Sequence, residues 1–129
     1  MMNKPENKEI RLQLLRLLEK EPKLTQREMH QRMDVSLGKV NYCISGLVEK
    51  GLIRVERFKK NPKKKAYLYR LTPKGIEELT QLTFNYLKRR IDEYDQIKNE
   101  ITFLAKQIKK MAPELSLDSK ILKKIKKIV

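Results

Sequence analysis

The sequence predicts a mainly α-helical protein with one small β-hairpin, and three observations support this fold class. Apolar residues recur at helical spacing along most of the chain. Near the middle, that spacing gives way to the alternation of a β-strand on both sides of a lysine-rich segment. Aromatic residues make up only 6% of the 129 residues and tryptophan is absent, so the core must be aliphatic.

The charge of the chain predicts a polyanionic partner. Lys and Arg number 31 against 16 Asp and Glu, a formal net charge of +15. Residues 1–75 carry 19 basic against 8 acidic side chains, a net +11, and residues 76–129 carry 12 against 8, a net +4. Nucleic acid is the first candidate partner and an anionic membrane surface is the second. The first part of the chain is therefore the predicted polyanion-binding module.

The single cysteine excludes a disulfide-stapled scaffold, and the regular supply of Leu, Ile and Val argues against disorder. The first nine residues are polar, and no apolar run of signal-peptide or membrane-span length follows them. We therefore expect a cytoplasmic protein in which Cys43 is reduced.

Three helices are predicted in the first half of the chain, over residues 6–20, 26–33 and 37–50. Helix starts are indicated by the N-cap residues Thr25 and Ser36 and, for a later helix, by Thr72 followed by a proline. Gly51 stands where a left-handed residue closes the third helix. Only two residues separate the second helix from the cap of the third, so these helices must cross at a steep angle.

A β-hairpin is predicted next, with strands over residues 52–58 and 66–71 and a basic tip that contains Pro62. Helix, helix, short turn, helix and basic hairpin is the element order of a winged helix-turn-helix domain, here assigned to residues 1–72. In this motif the third helix enters the major groove of DNA. The hairpin is the wing.

A single long helix is predicted over residues 73–111, with a length of about 60 Å. Its apolar residues follow a heptad-like stripe, which a domain of this size cannot bury, so the stripe needs a partner helix. We therefore assign residues 73–112 to a coiled-coil dimerisation helix and residues 113–129 to a basic amphipathic tail. The predicted dimer contacts are Leu87, Ile91, Tyr94, Ile97, Ile101, Leu104, Ile108 and Met111.

The third helix has two predicted faces. Val40, Ile44, Leu47 and Val48 are assigned to the core, and the polar residues between them are assigned to DNA. Lys39 lies in the first turn, where a cation opposes the helix dipole but suits a phosphate. The complete set of predicted DNA contacts is Gln26, Arg27, Ser36, Leu37, Gly38, Lys39, Asn41, Tyr42, Ser45, Lys59, Lys60, Lys63, Lys64 and Lys65.

Residues 35–53 resemble the recognition helix of MarR-type winged-helix regulators, including the terminal Gly51-Leu52-Ile53. Leu71-Thr72-Pro73-Lys74-Gly75 resembles the junction after the wing of these proteins. The resemblance covers residues 26–78 and is closest to a small subgroup associated with bacterial exopolysaccharide gene clusters. It implies a winged-helix transcriptional regulator of such genes.

Two departures from the MarR pattern affect the expected assembly. MarR-type proteins usually place an extra helix before the domain, and we expect none here, because the first domain helix begins almost at residue 1. The usual Asp-Arg pair of the wing is replaced by Asn61-Pro62-Lys63-Lys64-Lys65. Dimerisation must then rest on the C-terminal helix, and a small-molecule effector is doubtful.

The leading hypothesis is a homodimeric regulator that binds double-stranded DNA. The alternative is a coiled-coil adaptor whose winged helix docks protein, and a third hypothesis is membrane-surface binding through the tail. We favour no membrane contact, because the apolar residues of the tail are isolated Ile and Leu. No enzyme, metal or cofactor pattern is present: His30 is the lone histidine, and for Cys43 packing is favoured over a redox role.

Overall fold

The computed structural model describes residues 5–61 and 64–128, and within these ranges only the backbone of residues 5–7, 58–61 and 64–65. The elements are α1 (Pro5–Lys20), α2 (Gln26–Met33), α3 (Leu37–Glu49), β1 (Ile53–Asn61), β2 (Lys64–Leu71), α4 (Pro73–Met111) and α5 (Ser119–Ile128). The predicted winged helix-turn-helix order and the long helix are confirmed.

The chain divides into two compact units, Met1–Phe84 and Asn85–Val129. The boundary predicted from the sequence lies at residue 72, before α4. The difference arises because the first turns of α4 carry Leu79 and Leu82, which pack against the core of the first unit.

The core of the first unit is aliphatic, as the composition predicts. Its fully buried side chains are leucines of α1, Met29 of α2 and Val40 of α3. The cluster extends to the base of the hairpin through Ile53 and Tyr69. An ion pair between Arg11 of α1 and Glu78 of α4, 2.9 Å long and mostly shielded from water, closes one side of this unit.

The three predicted N-caps are present. The Thr25 hydroxyl accepts from the Glu28 amide at 3.1 Å, and the Glu28 carboxylate accepts from the Thr25 amide at 3.1 Å, a complete capping box. The Ser36 hydroxyl accepts from the Lys39 amide, and the Thr72 hydroxyl accepts from the Gly75 amide. These caps fix where α2, α3 and α4 begin.

The end of α3 follows the predicted closure. Gly51 has φ of +72°, and its amide donates to the Val48 carbonyl at 3.0 Å, while the Leu52 amide donates to the Leu47 carbonyl at 2.9 Å. Both bonds belong to the Schellman motif. A second glycine permits a close approach: a Cβ on Gly75 would stand 2.0 Å from the Leu52 carbonyl oxygen.

The hairpin strands are longer than predicted. They pair antiparallel from Ile53 opposite Leu71 to Asn61 opposite Lys64, with an irregularity between Lys59 and Asn61. The prediction that the lysines occupy a loop at the tip was wrong for four of them, because Lys59 and Lys60 lie in β1 and Lys64 and Lys65 in β2. A run of lysines carries no apolar alternation, so these backbone pairs leave no signal in the sequence. Lys63 lies outside the described residues.

The second unit has a different character. Across residues 85–128 no side chain is buried, and the half-buried positions include Ile101, Ala105, Ile125 and Ile128. The apolar side chains of α4 and α5 in this unit are otherwise exposed.

Candidate nucleic-acid interface

Helix α3, the predicted recognition helix, presents a polar face to solvent. Val40, Ile44 and Leu47 are buried, and Asn41, Tyr42, Ser45 and Glu49 are exposed, with Tyr42 exposed to 63%. The two faces agree with the predicted division except at Val48, which the sequence assigns to the core and which is 40% exposed. Val48 follows Leu47 by one position, about 100° around the helix, and so turns away from the core.

The first turn of α3 is open to an approaching ligand. Leu37 and Gly38 are exposed, and a Cβ on Gly38 would meet nothing within 4 Å. The Ser36 hydroxyl is engaged as the cap of the Lys39 amide. The Lys39 side chain is half-buried, and burial raises the pKa of the nearby Cys43 thiol against the opposing positive charge of Lys39. The helix start therefore combines backbone amides with a cation, which is a suitable environment for a phosphate.

The first turn of α2 stands beside the recognition helix. The Asn41 amide nitrogen donates to the Gln26 side-chain oxygen at 3.1 Å. The Gln26 amide nitrogen donates to the Tyr69 hydroxyl of β2 at 3.2 Å. Arg27, the next residue of α2, is exposed. The sequence predicts that Gln26 and Asn41 each contact DNA. It does not indicate that these two side chains bond to each other or that Gln26 bonds to the wing.

A groove separates α3 from the hairpin, and its lining is partly apolar. Val48, Val55 and Tyr67 line it and are exposed to between 37% and 44%. The Arg57 guanidinium lies 5.6 Å from the centre of the Tyr67 ring, a cation–π distance. Sequence reasoning missed Arg57 and Tyr67 because the neighbouring lysine run dominated the charge signal of the wing.

On the hairpin, Glu56 forms ion pairs with two arginines. Its carboxylate accepts from Arg54 at 2.9 Å and from Arg70 at 3.4 Å. These two cations are therefore partly neutralised. The cations of the wing that we predict to meet DNA are the lysines nearer the tip, whose side chains lie outside the described residues.

Cys43 borders a 150 Å³ cavity that Arg11, Tyr42 and Gly46 also line. Burial raises the pKa of the Cys43 thiol above its ordinary value, and the positive charges of Lys39 and Arg11 oppose that shift. The thiol is half-buried and free of any disulfide. His30 bonds through Nδ1 to the Val35 carbonyl oxygen at 2.5 Å, which ties α2 to the turn before α3.

The predicted dimer contacts lie on α4. Seven of them are exposed by between 37% and 69%: Leu87, Ile91, Tyr94, Ile97, Leu104, Ile108 and Met111. The eighth, Ile101, is half-buried. Side chains of this size are normally covered in a folded protein, so the stripe is a surface that a second helix could cover.

The described part of the chain shows neither a metal-ion cluster nor a membrane span. Within residues 5–61 and 64–128, no group of three or more His, Cys, Asp or Glu side chains is placed to hold a metal ion. In the same ranges, no helix has the length and apolarity needed to cross a membrane.

Comparisons with known proteins agree with this geometry. Residues 8–54 match the family of winged helix-turn-helix DNA-binding domains. That match spans most of α1, then α2, α3 and the first residues of the wing, so the first unit has the winged helix-turn-helix fold. Comparison with curated protein sequences gives no significant match.

Several solved structures share the fold over most of the chain. The regulator PcaV of Streptomyces coelicolor, solved with its natural ligand, is 21% identical with a TM-score of 0.59, covering 81% of this chain and 73% of PcaV. Staphylococcus aureus MarR, solved with salicylate and kanamycin, is 21% identical with a TM-score of 0.53, covering 81% and 73%. A transcriptional regulator homologue from Pyrococcus horikoshii is 21% identical with a TM-score of 0.53, covering 69% and 86%. At these identities the likeness establishes a MarR-like fold.

Proposed function

We propose that this protein is a transcriptional regulator that binds double-stranded DNA as a homodimer. The observation that carries the proposal is the exposed polar face of α3 beside a hairpin whose strands bear four lysines near the tip. In winged-helix proteins of this geometry the third helix enters the major groove. Asn41, Tyr42 and Ser45 would then reach base edges, and Lys39 and the wing lysines would contact phosphates.

The electrostatics of the chain favour DNA over a protein partner. Residues 1–75 carry a net +11, which includes the wing lysines, and in the proposed complex these lysines would lie where a backbone phosphate passes. Such contacts increase affinity for any duplex and make binding depend on salt, while the side chains of α3 supply sequence choice. An adaptor that docks protein has no need for this charge.

The homodimer is supported by the exposed stripe of α4. Ile97, Leu104, Ile108 and Met111 occupy heptad spacing and are all exposed. Apolar side chains at this spacing pack against the same positions of a second helix. Two copies of the winged helix would then be joined to read two half-sites of one duplex.

The target genes are the finer part of the proposal. The resemblance of residues 26–78 to the exopolysaccharide-associated subgroup supports regulation of exopolysaccharide biosynthesis genes. Binding to the upstream region of such genes, in preference to other genomic DNA, would be the expected result in a genome-wide pull-down. An even distribution over the genome would remove this part of the proposal.

A titration of random-sequence duplex DNA at two salt concentrations tests DNA binding itself. The wild-type chain should bind, and its affinity should fall steeply as salt rises. Changing Lys63, Lys64 and Lys65 together to Ser should lower the log–log salt slope by up to about 2.7 for each chain bound, which is roughly 0.9 for each phosphate that is no longer neutralised. The hairpin contributes Ile53 and Tyr69 at its base to the core, and that cluster of described residues includes none of the three lysines, so the thermal midpoint should change little.

A matched control removes the same charge elsewhere. Changing Lys120, Lys123 and Lys124 of α5 to Ser should leave the salt slope unchanged. If the wing and α5 variants lower the salt slope equally, the wing lysines act only through the net charge of the chain. Absence of binding by the wild-type chain at low salt would favour the adaptor.

A further inference from the structure

The side chains of Gln26, Asn41 and Tyr69 form a hydrogen-bonded relay across three elements. It runs from the recognition helix to the first turn of α2 at 3.1 Å and from there to β2 at 3.2 Å. Of the three, Asn41 is exposed, Gln26 is half-buried and Tyr69 is 6% exposed. The relay therefore leads from the core to the surface that faces DNA in the proposed function.

Its buried end is fixed. The Tyr69 ring belongs to the core cluster, and the Tyr69 amide donates to the Pro22 carbonyl at 2.9 Å. The Thr25 capping box fixes the backbone of Gln26 at the start of α2. An exposed asparagine on a helix normally samples several rotamers. Here the bond to Gln26 holds Asn41 in one of them.

The relay also sets which way the Asn41 amide points. Its nitrogen donates one hydrogen to the Gln26 oxygen, so that hydrogen is not offered to solvent. When the hydrogen donated to Gln26 is the one trans to the Asn41 oxygen, that oxygen and the second N–H share the outer edge of the planar amide. This edge presents one acceptor beside one donor.

We propose that Gln26 and Tyr69 are positioning residues that make Asn41 select adenine in the major groove. This rests on the proposed function, because it assumes that α3 lies in that groove. Adenine offers a donor at N6 beside an acceptor at N7, which complements the outer edge of Asn41. Guanine offers two acceptors there, so its O6 would meet the Asn41 oxygen without a hydrogen between them. The protein therefore prefers an A·T pair at one fixed position of each half-site.

The experiment selects bound duplexes from a pool of random sequence. It uses the full chain as wild type, Asn41→Ala and Tyr69→Phe, with Tyr86→Phe as the control that loses a hydroxyl outside both the winged-helix unit and the predicted dimer contacts. The wild-type protein should enrich a site in which one position favours adenine by between about fivefold and 150-fold. Asn41→Ala should abolish that preference, and Tyr86→Phe should leave it intact.

Tyr69→Phe is the decisive variant, because it keeps the ring in the core and removes only the hydroxyl that holds Gln26. The adenine preference should fall at least threefold at the position that depends on Asn41, while the other positions and the salt slope stay unchanged. A purely structural role for the hydroxyl would weaken all positions together. If Tyr69→Phe fails to fold, Gln26→Met removes both hydrogen bonds from a half-buried surface position and gives the same comparison.

Three results would overturn the proposal: an unchanged preference in Tyr69→Phe, a uniform loss over the whole site, or a base other than adenine at the position that Asn41 controls. A failure of the proposed function is distinguishable from all three. In that case the wild-type chain would enrich no sequence and bind no random duplex at low salt.

Discussion

Large apolar side chains are mostly buried or half-buried in the first unit of this chain and mostly exposed in the second. In the first unit, leucines of α1 and single residues of α2, α3 and the hairpin are excluded from water, with Leu14, Leu15, Met29 and Val40 at 0% exposure. In the second unit, apolar side chains of similar size lie on α4 and α5 with about half of their surface in water.

The difference predicts where the chain would be stabilised by a second molecule. Burial of apolar surface supplies roughly 25 cal/mol per Å², and the first unit obtains this stabilisation within one chain. The second unit exposes a continuous stripe, and it would gain the same stabilisation only from another helix. The first unit is therefore expected to fold alone, and the second to fold with a partner.

The largest expected effect comes from charging the stripe. Replacing Ile101 and Leu104 together with Glu would place like charges at facing heptad positions, so the dimer should dissociate. Light scattering should report the mass of one chain. The control is Asn99→Glu with Lys106→Gln, which lowers the net charge by the same amount at exposed positions off the stripe and should remain a dimer. A double Glu variant that stays dimeric with unchanged stability would place the contact elsewhere.

A single methyl group tests the packing of the first unit. Gly75→Ala would bring a Cβ to 2.0 Å from the Leu52 carbonyl oxygen, so the backbone must shift. We expect a decrease of about 1–3 kcal/mol in the free energy of unfolding. Gly46→Ala in α3 is the control: its Cβ would meet nothing within 4 Å, and the helix should gain about 0.5–1 kcal/mol. Thermal or urea unfolding measures both, and equal effects would refute the close approach at Gly75.

Substitutions on the exposed face of α3 should weaken DNA binding without changing the stability of the fold. Alanine at Asn41 or Tyr42 should cost about 1–3 kcal/mol of binding to a selected site and much less with random duplex. The thermal midpoint should change little, since both side chains are exposed. Equal costs on the two DNAs, measured by fluorescence anisotropy, would assign these residues to backbone positioning.

The smallest effect concerns Cys43. Because burial raises the pKa of its thiol, the reactive thiolate is scarcer at neutral pH than in an exposed cysteine. Alkylation by iodoacetamide at pH 7 should be several-fold slower in the folded chain than in the urea-unfolded chain, and should accelerate as pH rises. Equal rates at pH 7 would revive the redox-sensing hypothesis for this thiol.

Much of the fold was predictable because its signals are local. The caps at Thr25, Ser36 and Thr72 and the closure at Gly51 each depend on a few neighbouring residues, and all four appear as predicted. The strand ends were missed because polar lysines pair through their backbones without leaving any pattern in the sequence.

The candidate site was predictable in outline only. The exposed face of α3 follows from helical spacing, although Val48 shows that a residue at the edge of the stripe can be misassigned. Gln26 bonds to Asn41, which is 15 residues away in the sequence, and to Tyr69, which is 43 residues away. No spacing rule predicts such a contact, because it depends on how α2, α3 and the hairpin pack.

The central claim is that two copies of the chain are joined through their second units and bind one DNA duplex through their first units. The most direct test is the mass of the protein–DNA complex. Native mass spectrometry of the full chain with a selected duplex should show two chains, each of 15.4 kDa, on one DNA molecule. The variant with Ile101→Glu and Leu104→Glu should bind DNA as single chains, and it should need a higher protein concentration than the wild type to do so. A wild-type complex with one chain per duplex would contradict this claim.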